Sequence, residues 1–122
     1  MARRLGHEGG FTLIELLVVT VVIGLLAAIG IPQFLNHRER VWRSAVQSDL
    51  ANVALQFEIA ATDSGGSYPL AIPPTTISSP GVTIALGAAA STSRVCLKGD
   101  HGGLPDSIYY DSSAGGLTTV AC

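Results

Sequence analysis

From Leu16 to Leu35 the chain runs for twenty residues without a charge. That is about the length an α-helix needs to cross the hydrocarbon core of a bilayer. A single lipid-exposed segment must satisfy its backbone groups internally, so this run is helical by necessity. The 122-residue chain is 48 % hydrophobic and only 13 % charged, which argues against disorder. What remains for a water-soluble part starts near Asn36 and has room for one small domain.

The flanks of the run refine this reading. "MARRLGHEGG" (1–10) carries Arg3 and Arg4, ends in a glycine pair and looks like the charged front of a targeting sequence. The apolar run is too long for an ordinary secretory signal, and Ala27-Ala28 continues into Ile29-Gly30-Ile31-Pro32, an unattractive place for cleavage. Thr12 and Glu15 have the spacing of a capping box, which also sets a carboxylate at the positive end of the helix dipole. Gly24, Gly30 and Pro32 weaken the same helix, so a bend or a locally melted turn is expected at 24–32.

Beyond the proline, Trp42, Ala45, Val46, Leu50, Val53, Ala54, Phe57 and Ala61 recur every three or four residues, the mark of an amphipathic helix with one buried stripe. Arg40, Arg43, Gln47 and Glu58 lie on its other face. If continuous from Phe11 to about Ala61, the helical spine measures roughly 75 Å at 1.5 Å per residue. "TDSGGSYP" (62–69) stops it, and Pro69 to Pro80 reads as a loop. Short runs follow at 82–86, 94–97, 107–111 and 117–121, separated by "GDHGGLPD" and by "SAGG", a plausible hairpin connection. The expected fold class is α+β: a long N-terminal helical spine, apolar then amphipathic, packed on a small antiparallel sheet. Cys96 and Cys122 permit one bridge across 25 residues, which would staple the outer part of the sheet and stabilise a small domain by roughly 3–4 kcal/mol. Two separate reduced thiols are the other reading. Export, suggested by the apolar segment upstream, favours the bridge.

Taken together, Gly10, Phe11-Thr12-Leu13-Ile14-Glu15 and the long apolar helix with Pro32 resemble the prepilin signature of type IV pilins and the related type II secretion pseudopilins. The resemblance implies that a membrane-embedded prepilin peptidase cuts between Gly10 and Phe11 and methylates the new amine of Phe11. It implies four parts: a leader at 1–10, a transmembrane and filament-core helix at 11–35, an amphipathic helix at 36–61 and a β-rich head at 62–122. It further implies a structural pilus subunit, held in the inner membrane as a prepilin, that polymerises with copies of itself into a surface filament for adhesion, motility or DNA uptake, with the inner-membrane pilus assembly machinery and minor pilins as partners. The pseudopilin of a secretion or competence system is the alternative within that family.

Glu15 gains a role on this reading. A carboxylate near a helix end costs less than the ~2.5–3.5 kcal/mol of a charge at mid-bilayer, yet it remains a liability without a partner. The free amine of a processed Phe11 on a neighbouring copy is such a partner, and the pairing would favour one axial stagger of the helices. Gly24, Gly30 and Pro32 become the candidates for helix melting during assembly. Capping its own helix is the competing role for Glu15, and the two are compatible.

The rest of the chain excludes more than it proposes. Arg3 and Arg4 on one flank face Arg38, Arg40 and Arg43 on the other, so charge alone does not orient the segment. Topology rests on the resemblance and on the cysteines. The arginines after the span could meet lipid headgroups or acidic groups of other subunits, or form a solvated face. Asp100, Asp106 and Asp111 are scattered among turn residues without a calcium-loop pattern, so no metal and no cofactor are expected. Asp100-His101 has no nucleophile motif beside it, and no enzymatic role is expected. Without the leader's Arg3, Arg4 and Glu8, five basic and eight acidic side chains remain, which speaks against direct nucleic-acid binding. A third reading, of another class, is a membrane-anchored binding domain that never polymerises. Gly10→Val should leave the chain uncleaved in cells holding the peptidase, with intact-mass measurement retaining the leader; normal cleavage would move the cut site.

Overall fold

The computed structural model describes residues 9–122. The expected leader therefore lies outside the described residues except for Gly9 and Gly10. Helix α1 spans Leu13–Asp63 and is followed by four strands, β1 (Val82–Leu86), β2 (Cys96–His101), β3 (Ile108–Asp111) and β4 (Gly116–Thr118). The strands form one antiparallel sheet in the order β1-β2-β3-β4, so every connection joins neighbours. Contacts divide the chain into two units, one ending at Asn36 and one comprising His37–Cys122.

In the first unit the backbone is helical from Leu13 onward and stays so through Gly24, Gly30 and Pro32. The locally melted turn expected at 24–32 is absent. Proline removes one backbone donor, and the long runs of good helix formers before and after it carry the helix across that single lost bond. Thr20, a hydroxyl inside the apolar run, donates to the Leu17 carbonyl at 2.9 Å, which satisfies it within its own helix.

The second unit holds the core. Val46, Leu50, Val53, Ala54 and Phe57 of α1 pack with Val82, Val95, Leu97 and Ile108, and Ile72, Ile84, Leu86, Leu104 and Tyr110 lie against that cluster. The stripe read from three- and four-residue spacing is the buried stripe, with one addition. Asp49 is also buried, 7 % exposed, because its position between Val46 and Val53 puts it on the same face. A buried carboxylate needs donors. Ser79 supplies two, its backbone N–H at 2.6 Å to Oδ2 and its hydroxyl at 3.1 Å to Oδ1, which ties the loop before β1 onto the helix.

The helix stops at a glycine pair. Gly65 has a φ of +69°, a left-handed conformation most side chains avoid, and the Gly66 N–H donates to the Ala61 carbonyl at 2.7 Å. This is the long bond of a Schellman cap, and it places the end two residues beyond the expected Ala61.

β3 starts one residue later than expected, and two strands differ from their expected ranges by more than that. β2 begins at Cys96 and continues through Gly99-Asp100-His101, a stretch whose composition reads as a turn. The physical reason is Gly99, which pairs with Ile108 on the helix side of the sheet. A Cβ there would lie 2.6 Å from Val46 Cγ1 and 3.0 Å from Leu50 Cγ, so the glycine permits the helix to approach the strand. β4 ends at Thr118 rather than continuing to 121, because the following residues leave the sheet to bring Cys122 to Cys96. That disulfide is formed, with the Cα atoms 5.9 Å apart, inside the usual range. It anchors the tail to the inner strand β2 rather than to the outer part of the sheet, and the Ala89 N–H donates to the Cys122 carbonyl at 3.3 Å. Gly99→Ala should lower the stability of the head by roughly 1–3 kcal/mol, as overpacking between stiff neighbours does. A urea midpoint unchanged from wild type would mean that the helix does not press on β2 at this point.

Candidate processing and assembly segment

The N-terminal unit presents its side chains outward. Phe11 is 87 % exposed, and from Leu13 to Leu35 every large hydrophobic residue is exposed. An 18-residue window of α1 has a mean hydropathy of 2.7 with none of it buried. Each Val, Leu, Ile or Phe left in water forgoes about 1.5–3 kcal/mol relative to full burial. A surface of this extent is stable only when lipid or other protein covers it.

At its start, Thr12 and Glu15 close a reciprocal pair. The Glu15 N–H donates to Thr12 Oγ1 at 3.2 Å, and the Thr12 N–H donates to Glu15 Oε2 at 3.4 Å. This is the capping box that the spacing predicted, and it satisfies two amides that a helix start otherwise leaves open. Gly10 and Phe11 precede the helix in irregular backbone. Phe11 thus lies four residues before Glu15 and just outside the helix, with Gly10 directly before it.

Residues 5–31 match the family model described as the prokaryotic N-terminal methylation motif. The prepilin peptidase-dependent protein D of Escherichia coli is 33 % identical over 103 residues, covering 75 % of this chain and 68 % of that protein. The chain belongs to the type IV pilin family. Other relatives match over shorter stretches: the type IV major fimbrial protein FimA of Dichelobacter nodosus is 44 % identical over 56 residues, 46 % of this chain and 36 % of its own length. The type II secretion system core protein G of Klebsiella pneumoniae is 45 % identical over 50 residues, 41 % of this chain and 34 % of its own. The match thus spans about a third of the length of the fimbrial relatives.

The head of this pilin settles the fate of the other residues singled out in the sequence. Cys96 and Cys122 are brought together. Asp100 and Asp111 lie on adjacent strands, each engaged by a basic side chain and a serine. Asp100 accepts from the Ser107 hydroxyl at 2.5 Å and from Lys98 at 2.9 Å. Asp111, 5 % exposed, accepts Arg94 as a fork, Nε to Oδ1 at 3.0 Å and Nη2 to Oδ2 at 2.6 Å, and takes the Ser113 N–H and hydroxyl as well. His101 is occupied with packing: its ring stacks on Trp42 at 4.9 Å between centroids, and its Nδ1 accepts the Gly103 N–H at 3.0 Å. Arg38 lies over the Trp42 ring at 4.7 Å. The three-member pile of Arg38, Trp42 and His101 escaped sequence reasoning, since no periodicity links positions 42 and 101. Asp49 was readable, being a carboxylate at an apolar-stripe position.

These contacts set a pH dependence. The Arg94 guanidinium holds the Asp111 carboxyl far below the usual carboxylate range, with Ser113 helping and burial opposing. The Ser107 hydroxyl, with Lys98, lowers Asp100 in the same direction. A carboxyl lowered by folding contributes stability that is present above its unfolded value, about pH 4, and is lost as pH falls through its folded value. Head stability should therefore decline from about pH 4 downward. Asp111→Asn should flatten much of that decline, measured by urea unfolding at a series of pH values with Trp42 fluorescence; an unaltered acid slope would refute it.

Proposed function

We propose that this pilin is a structural subunit of a bacterial type IV pilus. The uncovered apolar surface of α1 carries the reading. Lipid covers it before assembly, and a bundle of copies covers it afterwards, an exchange between environments of similar apolarity. The leader at 1–10 is removed between Gly10 and Phe11 in the inner membrane, Phe11 is N-methylated, and the mature chain runs from Phe11 to Cys122. Residues 11–35 then serve as membrane anchor and filament core, 36–61 as the helix on which the head is built, and 62–122 as that head, which reaches the cell surface. Prepilin peptidase, the inner-membrane assembly machinery and minor pilins are the partners. Gly24, Gly30 and Pro32 are where the helix loosens on entering the filament, since these residues hold it least strongly.

The capping box supports a double role for Glu15. Its carboxylate sits in the first turn, next to the position where processing creates a positive amine, and a neighbouring copy shifted by about one turn brings that amine to it. In a water-excluded core, leaving either charge unpaired is strongly unfavourable. The match to the secretion core protein of Klebsiella pneumoniae supports a second reading, a pseudopilin that forms a short periplasmic filament. Abundance of the chain in a sheared cell-surface fraction distinguishes the pilus subunit from that reading.

Glu15→Gln separates the roles of Glu15, because glutamine also closes a capping box but carries no charge. Insertion and processing should persist, with methyl-phenylalanine at the mature N-terminus by mass spectrometry. Sheared filament yield should fall by about tenfold or more. Wild-type yield from this variant would remove intersubunit pairing from the account.

A further inference from the structure

A cavity of about 370 Å³ opens in the head between α1 and the last strand. Arg43 and Gln47 line it from the helix, Ile108 from β3, and Leu117, Thr118 and Thr119 from β4 and its exit. Processing and assembly as proposed above make no use of it. Its volume lies at the small end of the range for small-molecule sites.

The lining selects a chemistry. Ile108, buried, and Leu117, half exposed, give an aliphatic wall with no aromatic face. Gln47 adds an amide, and Thr118 and Thr119 add hydroxyl and main-chain groups at the edge of the sheet, all neutral donors or acceptors. Arg43 is the single cation. Its Nη2 donates to Glu39 Oε1 at 3.2 Å, and a guanidinium carries five N–H donors, so that bond leaves others for a ligand. A planar guanidinium fork matches a carboxylate, and the adjacent Glu39 weakens the field that a doubly charged phosphate would need. The aliphatic wall suits the C–H face of a saturated ring, and the neutral groups suit its hydroxyls.

We infer that the Arg43–Gln47–Thr118 cavity is a binding site for a small hydroxyl-rich carboxylate of the uronic acid class. The carboxylate lies on Arg43, and the ring hydroxyls meet Gln47, Thr118 and Thr119. This assignment rests on the head alone and stands or falls independently of filament formation.

The full chain in zwitterionic detergent micelles, titrated with D-glucuronate and followed through its backbone amide resonances, tests it. Saturable shifts at Thr118 and Thr119 are expected, with D-glucose and acetate each binding more weakly by about tenfold. Arg43→Gln should weaken glucuronate by about tenfold or more. Glu39→Gln, which leaves the cavity lining intact, should tighten it by removing the competing carboxylate. Absence of saturable shifts, equal responses to glucuronate and either control, or unchanged glucuronate binding in Glu39→Gln would each overturn the assignment.

Discussion

Helix α1 has to be covered by two different means, and the rest of the molecule depends on that requirement. Its second half has a stripe, Val46, Leu50, Val53 and Phe57, that one sheet can bury. Its first half is apolar on all sides and exposed on all sides within the chain, beyond what a sheet of four short strands can cover. The same helix therefore contributes to a folded domain and presents an apolar surface that the rest of the described chain leaves uncovered.

Burial of the stripe relies on a residue with no side chain. Gly99 lets β2 come against Val46 and Leu50, and with that strand inside the sheet the meander places β1 and β3 on either side. The remaining stabilisation is local to the edges of this arrangement. Asp49 ties down the loop before β1, Arg94 and Asp111 join the entry of β2 to the end of β3, and the Cys96–Cys122 bridge fastens a tail that makes no further strand. Each closes a segment that contributes little apolar surface, which is where a small domain needs such links.

At the other end of α1, the capping box gives Glu15 a function within its own chain. The carboxylate accepts the Thr12 N–H while the Thr12 hydroxyl accepts the Glu15 N–H, which closes the start of the helix. A carboxylate that closes its own helix start is held by local hydrogen bonds and by the helix dipole, which lowers the cost of carrying it beside an apolar segment.

Much of this was legible along the chain. The charge-free run, the capping box, the stripe, β1, β3, the "SAGG" turn and the α+β class all follow from periodicity, spacing and turn chemistry, which act between near neighbours. What the chain order could not reveal depends on residues far apart. Gly99 reads as a turn residue until a helix fifty positions earlier is pressed against it; Trp42 and His101 meet only because the sheet folds back; and the shortened β4 follows from the route Cys122 takes to an inner strand. The persistence of the helix through Pro32 belongs to the same group, since local rules weigh one lost hydrogen bond and the folded chain sums the turns on both sides. Local physics by itself determined the elements and the exposed apolar segment. Tertiary structure decided which residues those elements press together, because contact energy is set by proximity in space and not by order in sequence.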